Sequence, residues 1–102
     1  MGDVGLDLSM EDLALVRQIL SKHISQARVW AYGSRVSGKN LKPFSDLDLV
    51  IKGACPTPFD TLANLRLAFE ASDLPISVDL SDWASLPDHF KDVILEKHVA
   101  IL

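Results

Sequence analysis

With a single cysteine, Cys55, among 102 residues, the chain can form no internal disulfide and has no thiolate cluster to hold zinc or an iron–sulfur centre. Histidine is almost as sparse: His23, His89 and His98 show none of the short spacings that present a metal pair, and they read as structural or exposed. Long hydrophobic runs are missing too. The longest uninterrupted apolar stretches, such as Val29 to Tyr32, are four residues long, far below the roughly 20 that span a bilayer. The N-terminus, Met1-Gly2-Asp3-Val4-Gly5-Leu6, is acidic rather than basic and lacks the apolar region of a signal peptide and the Ser or Thr that a myristoylation signal prefers at position 6. A cytoplasmic protein is expected. Positive charge is also short: 14 acidic against 10 basic residues give a net charge of −4, a field that repels a polyphosphate backbone and argues against a long nucleic-acid partner.

What is present is an ordinary globular composition, 48% hydrophobic and 24% charged, in a length that suits one domain over residues 1–102. Ser9, with Asp12 three residues on, imitates a capping box, and Leu13, Val16, Leu20 and Ile24 recur at helical spacing, so a first helix is expected after Ser9. Arg28 to Tyr32 is rich in β-formers and stops at Gly33-Ser34, which predicts a strand ending in a tight turn. Beyond a short helical turn after Ser34, residues 35–45 carry Gly38, Asn40 and Pro43 and read as loop, and a second strand should run from Asp46 to Lys52. Phe59, Leu62, Leu65 or Arg66, and Phe69 mark a helix from Thr57 or Pro58 to Ala71. Ile76 to Leu80 reads as a third strand. Ser85, Pro87 and Asp88 introduce a last helix with an apolar stripe of Phe90, Val93, Ile94 and Ile101. The expected fold class is α/β, or α+β: a small mixed or antiparallel sheet with helices packed mainly on one face, because three strands alone would leave both faces wet.

The chemistry concentrates between residues 33 and 49. Successive side chains on a strand alternate faces, so Asp46 and Asp48 point the same way. Two carboxylates on one face suit Mg²⁺, which commonly takes one or two carboxylates plus substrate phosphates. Asp79, polar within the otherwise apolar third strand, supplies a third acid, and convergence of the three would suit two-metal phosphoryl transfer with an activated hydroxyl. Gly33 permits close backbone approach to a phosphate and Ser34 can donate a hydrogen bond to it. Arg35, Lys39, Lys42 and Lys52 crowd the same stretch, a local basic enrichment suited to a nucleotide's phosphates. Taken singly these features are ordinary, since Gly-Ser is common in turns and Asp-Leu-Asp can be a solvated edge. Together they fit one site. Trp30 and Trp83 read as core or subunit-contact aromatics, Tyr32 as buried support and Cys55 as incidental.

The pattern Gly33-Ser34 followed by Asp46-x-Asp48, within Gly-Ser-Arg-x-x-Gly and Ser-Asp-Leu-Asp-Leu, resembles the signature of the DNA polymerase β-like nucleotidyltransferase superfamily. The chain is similar, over nearly its whole length, to the minimal nucleotidyltransferases (MNT domains) of the antitoxin type. The resemblance implies the polymerase β-like fold, a triphosphate on Gly33 and Ser34, Mg²⁺ (two ions) on Asp46 and Asp48, and Asp79 completing the metal site and helping to activate the acceptor hydroxyl. It further implies a separate helical HEPN-type partner in a toxin–antitoxin-like pair, with the transferase adding AMP to a tyrosine of the toxin.

Two functions from different classes follow. The first is an Mg²⁺-dependent nucleotidyltransferase moving a nucleoside monophosphate, AMP from ATP above all, onto a hydroxyl of a protein or small molecule. The second is a non-catalytic antitoxin or binding subunit that neutralises its helical partner by contact. Intact carboxylates favour the first, and a homodimer is compatible with either. Repair or template-independent polymerisation is disfavoured by the net charge and by the absence of a DNA-gripping domain.

Overall fold

The structure is a computed structural model and describes residues 6–24, 26–38, 45–53 and 55–102. Helix α1, Met10–Ile24, starts where the sequence predicts, and the Asp12 amide donates to Ser9 Oγ at 3.1 Å, satisfying one of the orphan donors of the first turn. Strand β1 is Arg28–Tyr32, followed by the four-residue helix α2, Ser34–Ser37. Strand β2, Leu47–Lys52, leads through helix α3, Phe59–Glu70, to strand β3, Val78–Asp82. A 3₁₀ turn, Trp83–Ser85, precedes helix α4, Asp88–Glu96, and the two-residue strand β4, Val99–Ala100.

The sheet is mixed, in the order β3-β2-β1-β4. β1 is antiparallel to β2 and β4, whereas β2 and β3 are parallel, with α3 as their crossover. Leu13, Val16 and Leu20 of α1 and Leu65 and Phe69 of α3 bury Val29, Ala31, Leu47, Leu49, Ile51 and Leu80 in the main core. Tyr32, Val50 and the buried Ile94 of α4 form a smaller cluster, edged by Trp30, Trp83 and Leu86. The helices therefore lie mainly on one face, as expected, with α4 alone on the other.

Several expectations change. The third strand is Val78–Asp82, not Ile76–Leu80, because its parallel register pairs Leu47 with Val78 and Ile51 with Asp82. The last helix stops at Glu96, where Lys97 takes up extended backbone at φ −152°. Ile101 thus belongs to no helical stripe. It lies just past β4, with its amide donating to Val29 O at 2.9 Å and its carbonyl accepting from Arg17 Nε at 2.9 Å. The stripes of α3 and α4 are also less buried than their periodicity implies: Phe59 is 80% exposed and Val93 64%, and Phe90 is exposed too. Among the described residues no helix is long and apolar enough to cross a membrane.

Candidate active site

Antiparallel pairing of β1 with β2 sets Tyr32 opposite Asp48, and parallel pairing of β2 with β3 sets Asp48 beside Asp79. Directly paired residues share a face, so Tyr32, Asp48 and Asp79 form one row across three strands. The face is that of the smaller cluster, which α4 covers only in part. Asp46 sits exposed just before β2, two positions from Asp48, and its charge reaches Asp48.

Gly33 closes this row. Its φ of 82° lies in the left-handed region, and a Cβ built there would collide with Asp48 Oδ2. Both conditions demand glycine. The turn that follows is tight, since the amides of Val36 and Ser37 donate to Gly33 O at 3.0 and 2.9 Å and that of Gly38 donates to Ser34 O at 2.8 Å. The two halves of the motif, 15 residues apart in the chain, are in van der Waals contact at their centre.

The electrostatics follow from this packing. Burial, then the charge of Asp79, then that of Asp46 push the Asp48 carboxyl up to about 6. Burial likewise raises the Tyr32 phenol, which a hydrogen bond with the Ser81 side chain opposes and the charges of Asp48 and Asp79 reinforce. Tyr32 is buried, as expected, but its hydroxyl reaches the acid row and its ring meets Phe90 edge-on at 6.0 Å. Ser81, which the sequence reading passed over, stands two residues beyond Asp79 on the same face; that spacing was the one available signal.

Other expected residues have different surroundings. Arg35, read as a phosphate ligand, is 7% exposed; its Nε donates to Ser45 O at 2.9 Å and its Nη1 to Asp7 O at 2.8 Å, with the Asp7 carboxylate 3.5 Å away. Those bonds brace the segment entering β2 against the chain ahead of α1. Lys52 is four residues beyond Asp48, over the rings of Trp30 and Trp83, and so away from the acid row. Lys39 and Lys42 lie outside the described residues. Among the described residues no group of three or more His, Cys, Asp or Glu side chains is gathered tightly enough to hold a metal by itself. The donor set still fits Mg²⁺, a hard cation usually bound by one or two carboxylates while substrate phosphates and water fill the other positions. Asp48, with a carboxylate on either side raising its pKa, is the natural centre of such a set.

An acid row abutting a Gly-Ser turn at the end of a mixed sheet is the arrangement of a nucleotidyl-transfer fold. The family model for the nucleotidyltransferase domain matches residues 13–101, and the chain belongs to that family. It is 45% identical, over 94% of its length and 83% of the relative's, to the probable protein adenylyltransferase MntA of Haemophilus influenzae. A toxin–antitoxin crystal structure with AMP-PNP has a similar fold, with a TM-score of 0.70 at 20% identity over 92% of this chain and 73% of that one. So has the MNT antitoxin in complex with the tri-AMPylated HEPN toxin of Shewanella oneidensis, with a TM-score of 0.68 at 15% identity over 93% of this chain and 72% of the other. The family implied by the sequence motif is thus the family found.

Proposed function

We propose that this chain is an Mg²⁺-dependent nucleotidyltransferase that moves AMP from ATP onto a hydroxyl of a protein acceptor, presented by a helical HEPN-type partner. The observation that carries the reading is the contact of Gly33 with Asp48, in line with Asp79, which joins a turn suited to phosphate with a row of acids. The identity to a probable protein adenylyltransferase supports AMP as the group moved and a protein as its acceptor.

In this reading Gly33 and Ser34 line the triphosphate, and Asp46 and Asp48 hold the cation. When bound, Mg²⁺ neutralises the phosphates and the carboxylates together and stabilises the charge that develops on the transferred group. Asp79 accepts the proton of the acceptor hydroxyl as its oxygen bonds to the α-phosphorus; the bond to the β-phosphate breaks and pyrophosphate leaves with that electron pair. Tyr32, in line with Asp48 and Asp79, is held by its hydrogen bond with the Ser81 side chain. Arg35 contributes by fixing the backbone at Ser45, next to Asp46.

The exposed apolar side chains of Phe90, Val93 and Leu95 on α4 and of Phe59 and Leu67 on α3 offer surface for a partner. They also support the second reading, neutralisation by contact. The test is incubation of the purified chain with α-labelled ATP, Mg²⁺ and a purified helical HEPN-type protein. Label is expected on the partner and is expected to vanish with Asp46→Asn/Asp48→Asn. A stable complex without label would favour contact alone, and efficient transfer by a partner-free preparation would overturn the assigned acceptor.

A further inference from the structure

Lys52 shares the sheet face of Asp48 but stands four residues, roughly 13 Å, further along β2. There it joins Arg28, Lys91, Gly53, Ala84 and Trp83 around an open cleft of about 640 Å³, a size within the roughly 300 to 1,000 Å³ of small-ligand sites. Lys52 Nζ lies 5.1 Å from the Trp30 ring centroid and 4.9 Å from that of Trp83, and Lys91 Nζ lies 5.6 Å from the latter. Trp30 is fixed in turn, edge-on to Trp83 at 5.6 Å and stacked on His98 at 3.9 Å, whose Nδ1 is 2.9 Å from Ile94 O.

Lys52 and Lys91 are thus positioned by indole faces rather than by carboxylates. Among the described residues no acid lines the cleft, and Arg28, Lys52 and Lys91 make no ion pair. Three cations in one concavity of a chain of net charge −4 are a concentrated exception to its field. A long polyanion would leave the cleft to meet an acidic surface, so a compact multiply charged anion is favoured. The aromatic wall and the volume exceed what one phosphate needs and suit two or three phosphoryl groups, with room for a ring.

We infer that this cleft is a second anion site, separate from the Asp48–Asp79 row, which takes a di- or triphosphate group either free or carried on a nucleotide. The inference does not depend on the catalytic reading. Trp30 and Trp83 are the only two tryptophans of the chain, and both belong to this cluster, so indole emission reports the cleft directly. The protein would be titrated at low salt and without divalent cations, both as wild type in excess chelator and as Asp46→Asn/Asp48→Asn. The probes are inorganic pyrophosphate, ADP and a tetraglutamate peptide.

Saturable change with pyrophosphate and ADP is expected in both proteins. It should weaken about tenfold or more in Lys52→Ala/Lys91→Ala and in Arg28→Ala, which leaves the tryptophan cage untouched, and should weaken again on raising the salt. Tighter binding of ADP than of pyrophosphate assigns the site to nucleotides, and equal binding assigns it to free polyphosphate. No saturable change with either phosphate, saturation indifferent to all three cations, or a response to the glutamate peptide alone would overturn the inference.

Discussion

Asp48→Asn removes a charge that the folded state tolerates badly, and its effect on stability follows from the geometry. The Asp48 carboxyl rises from its ordinary 3.8 to about 6 on folding, through burial and through Asp79 and Asp46. Between those values the folded protein keeps a proton that the unfolded chain has released, so stability falls as pH rises through this window, and the full penalty applies above about pH 6. A displacement of this size corresponds to roughly 3 kcal/mol for a fully buried group. Asp48 is only half-buried and water screens its neighbours, which leaves about 1 to 2 kcal/mol. The Asn variant should therefore be more stable than wild type at pH 8 in chelator by about that amount, or by roughly 5 to 10 °C in Tm for a domain of this length. At pH 4, where both proteins carry a neutral side chain, the gain should largely vanish. Thermal unfolding followed by circular dichroism at the two pH values measures the difference directly. Mg²⁺ at pH 8 should raise the wild-type Tm and leave the variant's almost unchanged. A variant no more stable than wild type at pH 8, or one with the same advantage at both pH values, would refute the reasoning.

Gly33→Ala should lose both stability and transfer, because its Cβ meets Asp48 Oδ2 and its φ is 82°; a loss of about 1 to 3 kcal/mol in urea unfolding is expected. Arg35→Lys should be destabilised by about 1 to 3 kcal/mol, since the lysine cannot serve Ser45 and Asp7 together, while nucleotide affinity measured by calorimetry changes little. An affinity loss equal to that of Asp46→Asn/Asp48→Asn would instead return Arg35 to the phosphates. Asp79→Asn should slow the chemical step by about 10²-fold or more with ATP binding retained, read by single-turnover labelling; an unchanged rate would make Asp79 merely structural.

Local signals in the sequence are well realised. Ser9 caps α1, and Arg28–Tyr32 ends at the glycine turn, because a side-chain cap and a run of β-formers act within a few residues. The candidate site was legible as a set of residues but not as a contact. That Gly33 touches Asp48 depends on Tyr32 pairing with Asp48, a register fixed by the whole sheet. Arg35 beside Gly-Ser reads as a phosphate ligand until the fold supplies two backbone carbonyls for its guanidinium. Helical periodicity named Phe59, Phe90 and Val93 as stripe residues, yet periodicity cannot state whether anything covers a stripe: Phe59 and Val93 face outward, and Phe90 is covered only in part, by its edge-on contact with Tyr32. The run Val99 to Leu102 continues the apolar pattern of α4 and so hid a strand of two residues, which carries no turn signal of its own.

That strand sets the order in which the molecule can be completed. Val29 donates its amide to Leu102 O, Arg17 reaches Ile101 O, and Ile101 is buried in the main core. These partnerships join α1 and β1 to residues made more than 70 positions later. During synthesis α1, β1, β2 and α3 can all emerge while one edge of β1 still has an open backbone and one side of the core lacks Ile101. The strand that delivers the Gly33 turn to Asp48 is therefore clamped on both edges only when residues 99–102 have left the ribosome, and a nascent chain stalled before them should be a target for proteases and chaperones.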